Sequence, residues 1–124
     1  MPGVARVNVD MSSGHDACPG TVIITGSNDV MINGKPCAVV GSTCAPHGCL
    51  VHPTHTQVIV TGGSVLVNGK QIAIKGSQIG CGGVIVSGSN DVIVDGYKIK
   101  KILFLYYIKT YKKNFILKFK NKHY

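Results

Sequence analysis

Three stretches of the 124-residue chain can be set beneath one another: "TVIITGSNDVMINGKPCAVVGS" at 21–42, "QVIVTGGSVLVNGKQIAIKGS" at 57–77 and "GVIVSGSNDVIVDG" at 83–96. Each reads as a strand, a glycine-centred corner, a second strand and an Asn-Gly or Asp-Gly turn, and the first two copies run on into a third strand. The Val, Ile, Leu and Met runs are of strand length and rich in β-branched side chains, which suit a pleated surface. Asn33-Gly34, Asn68-Gly69 and Asp95-Gly96 supply the positive φ of a two-residue hairpin turn. Gly26, Gly62 and Gly88 stand at the other corner, where the backbone turns sharply. Short repeats of this kind bury their apolar faces only against one another. Three copies therefore predict an all-β body of short hairpins with pseudo-threefold symmetry inside one chain.

The core of that body must be small. All eight aromatic residues lie from Tyr97 onward, so residues 1–96 have only aliphatic side chains and cysteine to fill an interior. Strands wound closely about an axis fit that composition better than a broad sandwich does, and such a body tapers to a cone where the repeats converge. The chain accordingly divides into a β-repeat domain, 1–96, and a Lys- and aromatic-rich tail, 97–124. The tail uses only eight residue types, a vocabulary that fits a gene remnant or a disordered end.

Charge divides at the same point. Residues 1–96 carry Arg6, Lys35, Lys70 and Lys75 against five aspartates, a net of −1, whereas the tail carries nine lysines and no acid. The overall +8 is thus a property of the tail. Nucleic-acid binding by the folded body is excluded, because it needs basic groups arranged on an ordered surface. Lys35 and Lys70 follow the Asn-Gly turns and are expected as solvating hairpin ends; Arg6 is expected as a solvated cation at a strand edge. The opening "MPGVARVNVD" has no apolar segment of the secretory kind, and five cysteines cannot all pair, so synthesis in a reducing cytoplasm is expected.

The chemistry lies in the loops that precede each strand pair: "SSGHDACPG", the segment "CAPHGCLVHPTHT" and "SQIGCGG". His55 and Cys81 each stand seven residues before the corner glycine of their own repeat, and His15 stands eleven before Gly26. Under an approximate threefold these loops meet at one end. His15, His47, His52, His55 and Cys81 then offer five donors for about four tetrahedral positions, and imidazole with thiolate suits Zn²⁺. Cys44 and Cys49 flank His47 and could replace a histidine. Cys18 reads as a loop residue near the cluster, and Cys37 within "PCAVV" as a small buried hydrophobe. A zinc hydrolase would need an open coordination position and usually a carboxylate base. The chain contains no glutamate, and Asp16 is the acid beside the cluster, so a closed, non-catalytic site is the expectation.

Taken in order, "GHDACPGT", "ITGSNDVMINGKPCAVVG", the histidine segment, "VTGGSVLVNGKQIAIKG", "IGCGG" and "VSGSNDVIVDG" resemble the PAAR-repeat proteins, the conical tips of type VI secretion spikes. The resemblance covers residues 1–96. The Pro-Ala-Ala-Arg element appears here as Pro36-Cys37-Ala38-Val39, its counterpart Gln71-Ile72-Ala73-Ile74 lacks the proline, and Ser42 and Ser77 stand where an acid often follows the glycine. The resemblance implies one structural zinc held by His15, His47, His55 and Cys81, with His52 as the alternative histidine. It implies a base seated on a trimeric VgrG-type spike, effectors or adaptor proteins as further partners, transient contact with a target membrane, and export at the spike tip to the periplasm, the extracellular space or a target cell. The alternatives are a membrane-active effector whose tail, 97–124, acts on a bilayer, and a phage-tail spike tip.

Overall fold

The computed structural model describes residues 2–14, 19–49, 52–95, 98–101, 104–106, 109–111 and 114–116. Asn33 and Gly34 (φ 53° and 78°) and Asn68 and Gly69 (φ 52° and 84°) take the left-handed conformation that a two-residue hairpin turn demands. The first pair joins β1 (Met31–Ile32) to β2 (Lys35–Pro36). A longer ribbon follows, β3 (Thr43–Cys49) antiparallel to β4 (His52–Val58). The second pair joins β5 (Leu66–Val67) to β6 (Lys70–Gln71). The third repeat supplies β7 (Val92–Asp95), which pairs with β8 (Lys98–Lys101). Beyond it β9 (Phe104–Tyr106) pairs with β8, and β10 (Lys109–Tyr111) pairs with β11 (Asn114–Ile116). The described residues form strands and turns without a helix, so the protein is all-β, as the repeats predict.

Two closed cycles of backbone pairing organise these pieces. In the first, Val4 bridges Ile74, Arg6 bridges Cys37 and Val39 bridges Ile72. At its centre Ala5 N donates to Ala73 O (2.9 Å), Ala73 N to Ala38 O (2.9 Å) and Ala38 N to Ala5 O (3.0 Å). All three alanines are fully buried, and a methyl group is what fits where three backbones converge. In the second cycle Met11 bridges Val22, Ile23 bridges Cys44, β3 pairs with β4, Ile59 bridges Ile79, Gln78 bridges Val84, and Ile85 bridges Ser12, back beside the start. A cycle has no edge, so no row of backbone donors in it is left open to solvent.

Two apolar clusters fill the body, and the three central alanines belong to the second. Val4, Val30, Ile32, Cys37, Val65, Ile72 and Val92 belong to the first, and Ala5, Ile23, Ala38, Cys44, Ile59, Ile79 and Ile85 to the second. The repeat explains the membership, since Ile23, Ile59 and Ile85 occupy one position in three copies. The first cluster also includes Ile99 of β8, fully buried although composition assigns it to the tail.

The third repeat finds its missing strand at the other end of the sequence. Cys37 N bonds Val30 O and Ile72 N bonds Val65 O within their repeats; the equivalent bond to Val92 O comes from Val4 N, at 3.0 Å. Residues 2–6 thus close the body on β7. They also correct the reading of Arg6 as a solvated cation. Arg6 Nε lies 2.9 Å from Asp10 Oδ2, and the Asp10 side chain is only 2% exposed. The hydrogen bond to Asp10 holds the Arg6 guanidinium above its ordinary pKa, in the charged form. Arg6 N also donates to Asp10 Oδ2 (2.8 Å), as Val39 N does to Ser42 Oγ (2.9 Å) and Ile74 N to Ser77 Oγ (3.0 Å). Asn8, Gly41 and Gly76, at φ 65°, 96° and 98°, turn the chain at the three matching positions. Ser42 and Ser77 therefore do by hydroxyl what Asp10 does by carboxylate.

Candidate metal centre

The segments that carry the candidate ligands leave the second cycle at one end. Ser13 N bonds Val84 O (2.7 Å), and Ser13 Oγ accepts from Val84 N (3.0 Å), which holds the start of the first loop against the third. Thr21 Oγ1 donates to Ala45 O (3.1 Å), and Ala45 N donates to Val22 O (2.8 Å), which hold the end of that loop against the foot of β3. Gly80 N reaches Val58 O (3.0 Å) at the foot of β4. Residues 13–14, 19–21, 45, 58 and 80–84 are therefore neighbours. Ser13 and Thr21, the hydroxyl residues that bind these loops together, carry no repeat signal in the sequence, since Gln57 and Gly83 stand at the position of Thr21 in the other copies.

The histidine segment, expected as a loop, is a hairpin ribbon. Its register sets His47 opposite His55 and Cys49 opposite His52, with irregularities on either side of His47. His47 and His55 are nearer the foot of the ribbon, and His52 is nearer its turn. Pro46 and Pro53 interrupt regular pairing because neither can donate a backbone hydrogen bond. The side chains of these three histidines, and all of His15, Asp16 and Cys18, lie outside the described residues. Among the described residues, no three His, Cys, Asp or Glu side chains gather as a metal-holding group.

Cys81 is described, half-buried in the turn 79–82, where Gly82 N bonds Ile79 O (3.0 Å), and it packs against the second apolar cluster. Cys44 is fully buried in that cluster. Burial pushes the Cys44 thiol up, and the charge of neighbouring Cys81 pushes it further. The two sulfurs thus share the end of the body where the ribbon begins. Cys37 sits apart, in the other cluster; burial alone pushes its thiol up to about 12. It is the buried small hydrophobe that the sequence predicts.

The donor chemistry at this end fits a zinc ion. Imidazole and thiolate are donors that suit it. His47 and His55 are register partners on the ribbon, and Cys81 stands at the same end.

Two further polar ties hold the repeats to one another. Asn33 Nδ2 donates to Asp91 Oδ1 (2.8 Å), and Asn68 Nδ2 to Asp29 Oδ1 (2.6 Å), so each Asn-Gly turn is tied to the "SND" corner of another repeat. These ties lie at the hairpin end, away from the loops.

The family model for the PAAR motif matches residues 13–87, more than half of the chain. No curated protein matches it in sequence. The matched span opens at Ser13, takes in all three loops, the ribbon and both Asn-Gly hairpins, and ends at the corner of the third repeat. The chain belongs to the PAAR-motif family.

Proposed function

We propose that this chain is a zinc-stabilised tip that caps a trimeric VgrG-type spike of a type VI secretion apparatus, sharpens it and travels with it into the target. Family membership gives the class of machine. The observation that carries the reading is the gathering of residues 13–14, the foot of the β3–β4 ribbon and residues 79–84 at one end of a closed cycle. His15, His47, His55 and Cys81 are the residues that would hold the ion, with His52, one register step toward the ribbon turn, left over. Zinc supplies four strong bonds at one point. It would tie three separate loops where the aliphatic core is too small to do so, and binding free energy becomes folding free energy. With four protein ligands the ion has no position for a substrate water, so the role is structural.

The cyclic bonds of Ala5, Ala38 and Ala73 support a pseudo-threefold axis through the body. Such a body solves a symmetry problem, because one chain can meet three identical subunits. The hairpin end, opposite the loops, is the natural seat, where exposed strand backbone can extend the sheets of the spike. We place the boundary of the working domain after β8 rather than at residue 96, since Ile99 fills its core. The chain would be made in the cytoplasm and leave it on the spike.

Elemental analysis of the full-length protein tests the metal. One zinc per chain, lost in His15→Ala, His47→Ala, His55→Ala and Cys81→Ala and kept in His52→Ala, is the expected result. A folded wild type that carries no zinc from zinc-supplemented culture overturns the metal-tied tip. Co-purification with the trimeric needle of a VgrG-type spike tests the seat separately.

A further inference from the structure

The three repeats are joined at three seams, and one seam differs from the other two. At two seams the residue two positions after the central alanine faces a corner glycine. A methyl group placed on Gly26 would meet Val7 Cγ2 at 2.6 Å, and one on Gly62 would meet Val40 Cγ2 at 3.0 Å. The backbone repeats a third time: Lys75 N donates to Gly3 O (2.9 Å), as Val7 N does to Pro36 O (2.9 Å) and Val40 N to Gln71 O (2.9 Å). The side chain does not repeat. The matching residue is Lys75, and the nearest atoms to a methyl on Gly88 all belong to the backbone of Gly3. Where valine closes two seams, lysine leaves the third open. A groove of about 350 Å³ results, with Gly3, Lys75, Val86, Ser87, Gly88 and Ile93 along it.

We propose that this groove binds an extended peptide segment of a partner protein, with a carboxylate set against Lys75 and an aliphatic side chain laid over Val86 and Ile93. The chemistry favours that occupant. No acid lines the groove, and Lys75 has no ion-pair partner among the described residues. Val86 is 46% exposed, an apolar surface at the groove that water covers at a cost. The tail of this chain is the wrong occupant, because its nine lysines and absent acids would meet Lys75 with like charge. A pseudo-symmetric body with one open seam offers one such position per chain. On the reading of the chain as a spike tip, the ligand is a cargo or adaptor segment; the binding itself does not depend on zinc or on the spike.

The test is titration of isotope-labelled full-length protein with N-acetyl-Asp-Val-Ile-amide, followed by amide shifts. Saturable shifts are expected at Gly3, Lys75, Gly88 and Ile93, and not at Gly26 or Gly62. Lys75→Val copies the closed seams and should weaken binding by about fivefold or more, the weight of one exposed charge pair plus lost groove volume. Lys75→Glu should prefer N-acetyl-Lys-Val-Ile-amide. Equal shifts at all three seams, no saturable shift, shifts that acetate alone reproduces, or shifts caused by raising protein concentration without peptide would each overturn the assignment. Failure of the metal analysis would leave this result untouched.

Discussion

Asp10 stands where the other two repeats have Ser42 and Ser77, and that substitution within one molecule makes a clean experiment. The Asp10 carboxylate accepts from Arg6 N, Arg6 Nε, Arg6 Nη2 and Ser87 Oγ, at 2.8, 2.9, 3.2 and 2.9 Å. Asp10→Ala removes all four acceptor bonds at once. Removing one partner of a buried pair costs about 3–5 kcal/mol, and because the Arg6 side chain is 17% exposed the lower figure, about 3 kcal/mol, applies. Asp10→Ser keeps an acceptor for Arg6 N, as Ser42 Oγ does for Val39 N, and loses only the charged contacts. Its expected cost is about 1–2 kcal/mol. The double variant Asp10→Ser with Arg6→Val rebuilds the Val39 and Ser42 arrangement and should return to within about 1 kcal/mol of wild type, since no uncompensated charge remains. Urea unfolding at fixed zinc reads these values. With a slope of roughly 1–3 kcal/mol per molar, Asp10→Ala should lower the midpoint by about 1–3 M. An Asp10→Ser cost equal to that of Asp10→Ala, or no recovery on adding Arg6→Val, would refute this account of the Arg6–Asp10 pair.

Ile99→Ala should destabilise by about 2–4 kcal/mol, and truncation after residue 96 by at least as much, because a fully buried aliphatic side chain leaves a cavity or exposes Val92 and Val94; thermal unfolding of both checks this. The Cys37 thiol should resist iodoacetamide in the folded protein at pH 8 and react on denaturation, whereas Cys81 should react in metal-free protein. Because the folded Cys37 value is raised to about 12, its contribution to stability is fully present below the unfolded thiol value near 9 and is lost as pH rises from there toward 12. A pH series of urea melts with Cys37→Ala as reference measures that loss. Asn8→Gly should be neutral or stabilising by up to about 1 kcal/mol, since position 8 holds φ 65° where its counterparts are Gly41 and Gly76; a loss of more than that would mean the Asn8 side chain has a role of its own.

The parts of the fold that were legible in the sequence are the local ones. Asn33-Gly34 and Asn68-Gly69 announce their hairpins because few other dipeptides tolerate two consecutive left-handed residues. The Val and Ile runs announce strands because β-branched side chains suit them, and the absence of aromatic residues before Tyr97 announces a narrow core. Closure was not legible. The partners Val4 and Val92, or Gly3 and Ile93, are brought together by the whole chain between them, and no local preference of either residue reports the other. Arg6 read as a solvated edge for the same reason: its carboxylate is near in sequence, but the burial that gives the pair its weight comes from residues far away. Composition assigns Ile99 to the tail because the change at Tyr97 is visible in the sequence and the packing that crosses it is not. At the candidate centre, repeat register singled out Cys81, and the ribbon register sets His47 opposite His55. The hairpin itself was hidden by two prolines and a run of polar residues that do not alternate.

The joining of residues 2–6 to β7 also has a bearing on synthesis. During translation residues 2–6 emerge before the strand that receives them, Val92–Asp95, which is made some ninety residues later. The alanine cycle cannot close until Ala73 is free of the ribosome, and the first apolar cluster lacks Val92, Val94 and Ile99 until the third repeat follows. Two of the three repeats must therefore wait half-built, with aliphatic faces open to water and to neighbouring nascent chains. Folding begins late and ends when residues 2–6 join β7, so slow elongation in the third repeat would lengthen the exposed interval more than a delay between the first repeat and the third.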